Sequence, residues 1–154
     1  MFTEADRKIA RVARRQDQVF ALAQARAAGL TDDQIAHRLR RHAWTGLATG
    51  VYAHAHTDLS TKGRLRAATL ELPGAVASHE SAGELREFPL VPSGLVVVSR
   101  AQDDPNRSAL ATVRRVCDFD PADHTVIDGI PVTTAVRTAA DLAGVLGAGR
   151  YRQM

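Results

Sequence analysis

The sequence predicts an α+β protein, and three observations carry that prediction. Before residue 45, apolar residues recur at helical spacing in three short stretches. Between Trp44 and Ala55, the chain alternates loosely around Gly46 and Gly50, as a tight two-stranded ribbon requires. After Leu59, helix-like and strand-like segments interleave and close on an Asp128-Gly129 turn followed by a last helical run.

Thr3 is placed to cap a first helix over residues 4–16, in which Ile9, Val12 and Ala13 share a side amid Arg7, Arg11, Arg14 and Arg15. "QDQVF" breaks that pattern. "ALAQARAAG" gives a short second helix stopped at Gly29, a residue suited to the left-handed cap conformation. Thr31 starts a third helix, because Thr31-x-x-Gln34 fits a capping box and Asp32 and Asp33 favour the positive end of the helix dipole. Ile35 and Leu39, one turn apart, should face the first two helices. The opposite side then carries Asp33, His37, Arg40 and Arg41, flanked by Gln34 and Arg38. Three short helices and a hairpin follow the order of a winged helix-turn-helix, expected over residues 1–56.

Residues 57–154 read as a small mixed α/β domain. "STKGRLRAATLEL" is a helix capped by Ser60 and ended by Pro73-Gly74, "AVAS" a short strand, and "HESAGELREF" a helix after Ser78. "SGLVVVSRA" is a buried strand, "DDPNRS" a turn, and "ATVRRVCDF" another strand. "DPADH" turns again, "TVIDGIPVTT" is a hairpin, and "AVRTAADLAGVLG" is a closing helix with Val136, Ala140, Leu142 and Ala143 on one side. The join near His54–Leu59 is too short for a free linker.

Hydrophobic content of 45% and charge of 24% suit an ordinary globular protein, while aromatics at 5% leave the core to Ala, Val and Leu. Cys117 is the one cysteine, so no intramolecular disulfide forms, and its strand position predicts a buried, inert thiol. No run of about 18 apolar residues and no signal-peptide pattern is present, so a cytoplasmic protein without a membrane partner is expected. The net charge of +3 is unevenly placed. Residues 1–56 hold nine Arg/Lys against five Asp/Glu, whereas residues 57–154 hold eleven against twelve. Such clustering points to a polyanion partner more strongly than a diffuse excess would.

The third helix has what a DNA reader needs: a polar face free of the core, long donors, and a capped N-terminus that can approach phosphates. Thr31, Gln34, His37, Arg38 and Arg41 meet those demands. Gln34, His37 and Arg38 are the candidates for base contacts. Arg38, Arg40, Arg41 and the first helix's Arg14 and Arg15 are the candidates for phosphate, with Thr45 at the start of the ribbon completing the set. The plainer reading of the same helix is a solvated, salt-bridged face.

Enzyme chemistry finds less support. Neither lysine, Lys8 or Lys62, stands near an acidic pair as a restriction-type nuclease site requires. "DFDPADH" could offer Asp118, Asp120, Asp123 and His124 to a divalent metal, but an Asp- and Pro-rich turn explains it more simply. His54-x-His56 lacks a third ligand. Ser78, His79, Glu80 and Ser81 are adjacent residues entering a helix and should diverge around its axis instead of forming a triad. No catalytic residue, metal or cofactor is expected.

The stretch "QVFALAQARAAGLTDDQIAHRLRRHAWTGLATGVY" resembles the N-terminal winged-helix segment of AbiEi-type antitoxins of type IV toxin–antitoxin systems. The residues that carry the likeness are Val19-Phe20, Gln24-Ala25, Gly29-Leu30-Thr31, Ile35, Arg38 to Arg41, Trp44 and Gly50-Val51-Tyr52. "SHESAGEL" and "IDGIPVTTAVRTAADLA" resemble the middle section of the actinobacterial members. The family commonly has basic residues and a proline in the wing, where this chain has Thr45-Gly46-Leu47-Ala48-Thr49. The resemblance implies a sequence-specific transcriptional repressor acting on operator DNA, whose remaining portion neutralises a nucleotidyltransferase-like toxin. A homodimer, or two copies on an inverted repeat, is expected from half-site logic. Two rivals are a DNA-targeting module cut from a longer protein with a very-short-patch-repair-like endonuclease domain, and an interaction module that binds no DNA.

Overall fold

The computed structural model describes residues 3–89, 91–92, 94–101 and 107–145, and the backbone alone for 146–151. The protein is α+β, with two sheets among the described residues. The first unit runs α1 (Glu4–Arg15), β1 (Val19–Ala21), α2 (Leu22–Ala27), α3 (Asp32–Arg40), β2 (Trp44–Ala48) and β3 (Val51–His54). Its strands form an antiparallel sheet in the order β1-β3-β2. The ribbon expected after Trp44 is therefore one strand wider. Val19 and Phe20, which read only as part of a break between helices, and Ala21, which read as the start of the second helix, pair with Ala53 to Val51, so that helix starts one residue later than expected.

Apolar side chains from all three helices meet over this sheet. Ile9 and Ala13 of α1, Ala25 of α2, Ile35 of α3, Phe20 and Trp44 form one buried cluster. The Phe20 and Trp44 rings meet edge-on with centroids 4.7 Å apart, a favourable arrangement for two quadrupoles.

The second unit continues through α4 (Thr61–Glu71), β4 (Val76–Ala77), α5 (His79–Leu85), β5 (Val97–Ala101), β6 (Thr112–Val116), a 3-10 turn at Pro121–Asp123, β7 (His124–Ile127), β8 (Ile130–Thr133) and α6 (Ala135–Tyr151). Its sheet has the order β6-β5-β4-β8-β7, with β5/β6 and β4/β8 parallel and the other pairs antiparallel. The Asp128-Gly129 turn joins β7 to β8 as expected, with Asp128 at φ 50° and Gly129 at φ 77°. Within the turn expected over residues 103–108, residues 103–106 lie outside the described residues.

Helix α4 links the two sheets. Leu65, Ala68 and Leu72 pack with Ala77, Val98, Ile130 and Val132, while Ala67 packs with Val19 and Val51 of the first sheet. Small residues let both sheets approach the helix closely. Helices α5 and α6 meet tightly at Gly83, where an added Cβ would lie 2.9 Å from Val91 Cγ2 and 3.1 Å from Leu142 Cδ1. Gly83→Ala is expected to cost about 1–3 kcal/mol by overpacking, read as a lower urea midpoint at unchanged slope.

Two local expectations are corrected. In α6, Leu142 and Thr138 are buried, but Val136 is 83% exposed and Ala140 and Ala143 face out. The Thr138 hydroxyl donates to the Thr133 carbonyl at the end of β8, and Leu142 one turn later is fully buried, so these two residues mark the inward side of the helix. Cys117 is exposed, because β6 is an edge strand that ends one residue earlier. Among the described residues, no helix is long and apolar enough to cross a membrane.

Candidate nucleic-acid interface

Helix α3 is fixed at both ends. At its start, the Gln34 backbone N–H donates to Thr31 Oγ1 (3.3 Å) and the Thr31 N–H donates to Gln34 Oε1 (3.1 Å), completing the expected capping box. At its end, His42 adopts φ 52°, and the N–H groups of His42 and Ala43 donate to Leu39 O and Arg38 O. This left-handed cap turns the chain sharply into β2 and puts Trp44 under the helix.

The predicted contact residues separate into three groups. Thr31, Gln34, His37, Arg40 and Arg41 are exposed on one side of α3, with Thr45 exposed at the start of β2. Arg38 points elsewhere. Its Nε and Nη2 donate to the two Asp6 carboxylate oxygens at 2.8 and 3.2 Å, and its Nη1 donates to Gln34 O at 3.0 Å. The guanidinium carbon also lies 5.6 Å from the Trp44 ring centroid. With its side chain only 16% exposed, Arg38 fastens α3 to α1 instead of presenting donors outward. Arg14 and Arg15 form the third group. They are exposed on α1, and neither lines the groove beside the end of α3.

Asp6 is the residue that sequence reasoning missed. It also accepts from the Thr3 N–H (2.8 Å) and hydroxyl (2.7 Å); the Arg38 bonds first, and then those from Thr3, outweigh burial and hold its carboxyl down at about 2. The Thr3-x-x-Asp6 spacing was a visible cap signal, but nothing local pointed to a partner 32 residues away.

Asp6, His37, Arg38, Arg41, Ala43, Trp44 and His54 line an open groove beside the end of α3. The buried Nε2 of His54 has no hydrogen-bond partner, and burial holds that imidazole below its usual range. At the other end of α3, Asp32 receives a bidentate pair from Arg26 (2.9 and 3.0 Å), which offsets one of the two acidic charges near the helix start. The β2–β3 turn carries no charged residue.

The Gln34 contact has a geometric condition. Its amide oxygen is occupied by the cap, so bidentate pairing with adenine would break the Thr31 bond, whereas the amide N–H donors can act without that cost.

The rejected enzyme constellations resolve into structural roles. Asp120 caps the 3-10 turn through Ala122 N–H, and Asp118 and Asp123 accept from Arg137. Ser78 and His79 do touch, Oγ to Nδ1 at 3.0 Å, contrary to the divergence expected. Asp141 lies 4.0 Å from that same Nδ1, however, whereas a relay needs serine and carboxylate on opposite ring nitrogens. Among the described residues, no three His, Cys, Asp or Glu side chains converge as a metal-binding group. A scan against family models finds no match to this chain, and a search of curated proteins finds none either.

Proposed function

We propose that the first unit is a winged helix-turn-helix whose α3 enters the major groove of duplex DNA, and that the chain is a sequence-specific transcriptional repressor of the AbiEi-antitoxin kind. One observation carries the reading: Thr31, Gln34, His37, Arg40 and Arg41 remain exposed on α3 while α4 and the second unit pack against β1 and β3. The order α1-β1-α2-α3-β2-β3, with the sheet order β1-β3-β2, also suits a winged helix. His37 and Arg41, beside the groove, supply base-edge donors. Arg40 and Thr45 contact phosphate, and Gln34 donates through its amide nitrogen. Arg38 is a positioning residue here, holding α3 on α1 through Asp6.

The uncharged turn between β2 and β3 places little of the affinity in the wing. Recognition then depends on the helix, and two copies on an inverted repeat would supply the rest of the site. The antitoxin-like resemblance assigns the second unit to a nucleotidyltransferase-like partner.

Selection from a pool of randomised duplexes tests the reading. The expected result is an enriched motif bound at least about a thousandfold more tightly than bulk DNA. His37→Ala/Arg41→Ala should lose about 1–3 kcal/mol per residue on that motif. Recovery of no motif, or full binding by the double variant, overturns the assignment.

A further inference from the structure

Helix α1 carries a second run of exposed cations. Arg7, Lys8, Arg11, Arg14 and Arg15 are all exposed. At 3.6 residues per turn they fall within an arc of about 120°. Ile9 and Ala13, at or below 1% exposure, lie opposite that arc. Glu4 is the one carboxylate on the same side, 3.4 Å from Lys8.

Asp6 is the α1 side chain that reaches α3, and it projects about 140° from the middle of the arc. The stripe therefore points away from the contact between α1 and α3. The stripe carries a cost in the isolated protein, since Arg7, Arg11 and Arg15 repeat at i,i+4 and like charges at that spacing repel. A helix that only needed solvation would alternate its signs.

From Arg7 to Arg15 the helix rises about 12 Å, a length over which one DNA strand places three to four phosphates. Four of the five cations are arginines, whose forks match phosphate oxygens. The stripe carries no aromatic side chain on which unpaired bases could stack, which favours a duplex over a single strand.

We infer that the outer face of α1 binds the phosphate backbone of a second duplex segment, independently of sequence, so that one chain holds two segments together. The inference rests on the α3 reading for the first segment.

Two-duplex capture tests it. A 20-bp duplex carrying the selected motif is fixed to beads, loaded with the full chain, and offered a fluorescent 20-bp duplex of unrelated sequence. Retention of the second duplex is expected near 50 mM salt and should fall steeply by 200 mM. Arg7→Gln/Lys8→Gln/Arg11→Gln should cut retention at least about tenfold, while anisotropy binding to the motif duplex changes less than about threefold. Equal retention by that variant overturns the inference, as does wild-type protein that loads on the motif but retains no second duplex. Wild-type protein that binds no duplex at low salt overturns the α3 reading as well, so the two failures are distinct.

Discussion

Arg66→Ala is expected to lower the unfolding free energy by about 3 kcal/mol, the low end of the range for stripping one partner from a buried ion pair, because the Asp17 side chain is 22% exposed. The Arg66 side chain is 6% exposed, and its Nε and Nη2 donate to Asp17 Oδ2 at 3.1 and 2.9 Å. Nη2 also donates to the Asp128 carbonyl at 2.5 Å. One guanidinium from α4 therefore ties the α1–β1 turn to the β7–β8 turn. Asp17 itself stands at φ 52°, a conformation that a free turn would relax, and Gly63 approaches it so closely that an added Cβ would lie 2.9 Å from its carbonyl oxygen. Without Arg66 the Asp17 carboxylate keeps, among the described residues, only the Lys62 ammonium at 4.0 Å.

In a chain of this length a loss of 3 kcal/mol lowers Tm by about 10 °C. Arg66→Lys should recover little, because a single ammonium cannot reproduce the fork. Lys62→Ala is the control. Its 2.6 Å pair with Asp128 is largely solvent-facing, and its loss should cost about 1 kcal/mol or less. Equal Tm values for the Arg66 and Lys62 variants would contradict the role given to α4.

Asp6→Asn is expected to remove about 2 kcal/mol at pH 7, and to loosen α3 at the same time. The Asp6 carboxyl lies at about 2, against an ordinary 3.8. At about 1.4 kcal/mol per unit this difference is worth about 2 kcal/mol. Because the folded-state value is the lower one, the contribution is present above about pH 4. It fades as the pH falls through about 2, where folded and unfolded chains both take up the proton.

Urea unfolding of the wild type and Asp6→Asn at pH 7, 4 and 2.5 should therefore show a gap that narrows with acid. A gap of constant size would mean that the Arg38–Asp6 charge pair is not its source. At pH 7 Asp6→Asn should also weaken the proposed DNA binding, since Arg38 would lose its anchor and α3 its fixed angle on α1.

What could be read from the sequence follows how locally each feature is encoded. The Thr31 cap, the burial of Ile35 and the exposure of His37, Arg40 and Arg41 all follow from spacing within one helix, and all are observed. The Asp128-Gly129 hairpin is equally local. Strand β1 was not legible. Three residues cannot display an alternation, and Val19 to Ala21 become a strand only by pairing with Val51 to Ala53, far along the chain.

The fate of Arg38 was hidden for a related reason. Its wheel position at the margin of the polar face suits either DNA or α1, and Asp6, 32 residues earlier, decides between them. In α6 the wheel misled, because Ala and Val at several angles left the apolar side poorly defined, and the inward side is the one marked by Thr138 and Leu142.

We propose that the outer side of α3 meets duplex DNA. Titrating the labelled protein with its selected duplex, while following backbone amide shifts, tests that claim most directly. The largest changes are expected between Thr31 and Thr45, centred on His37 and Arg41, with residues buried in the second sheet unmoved. Changes concentrated beyond residue 57, with α3 silent at saturating duplex, would contradict it.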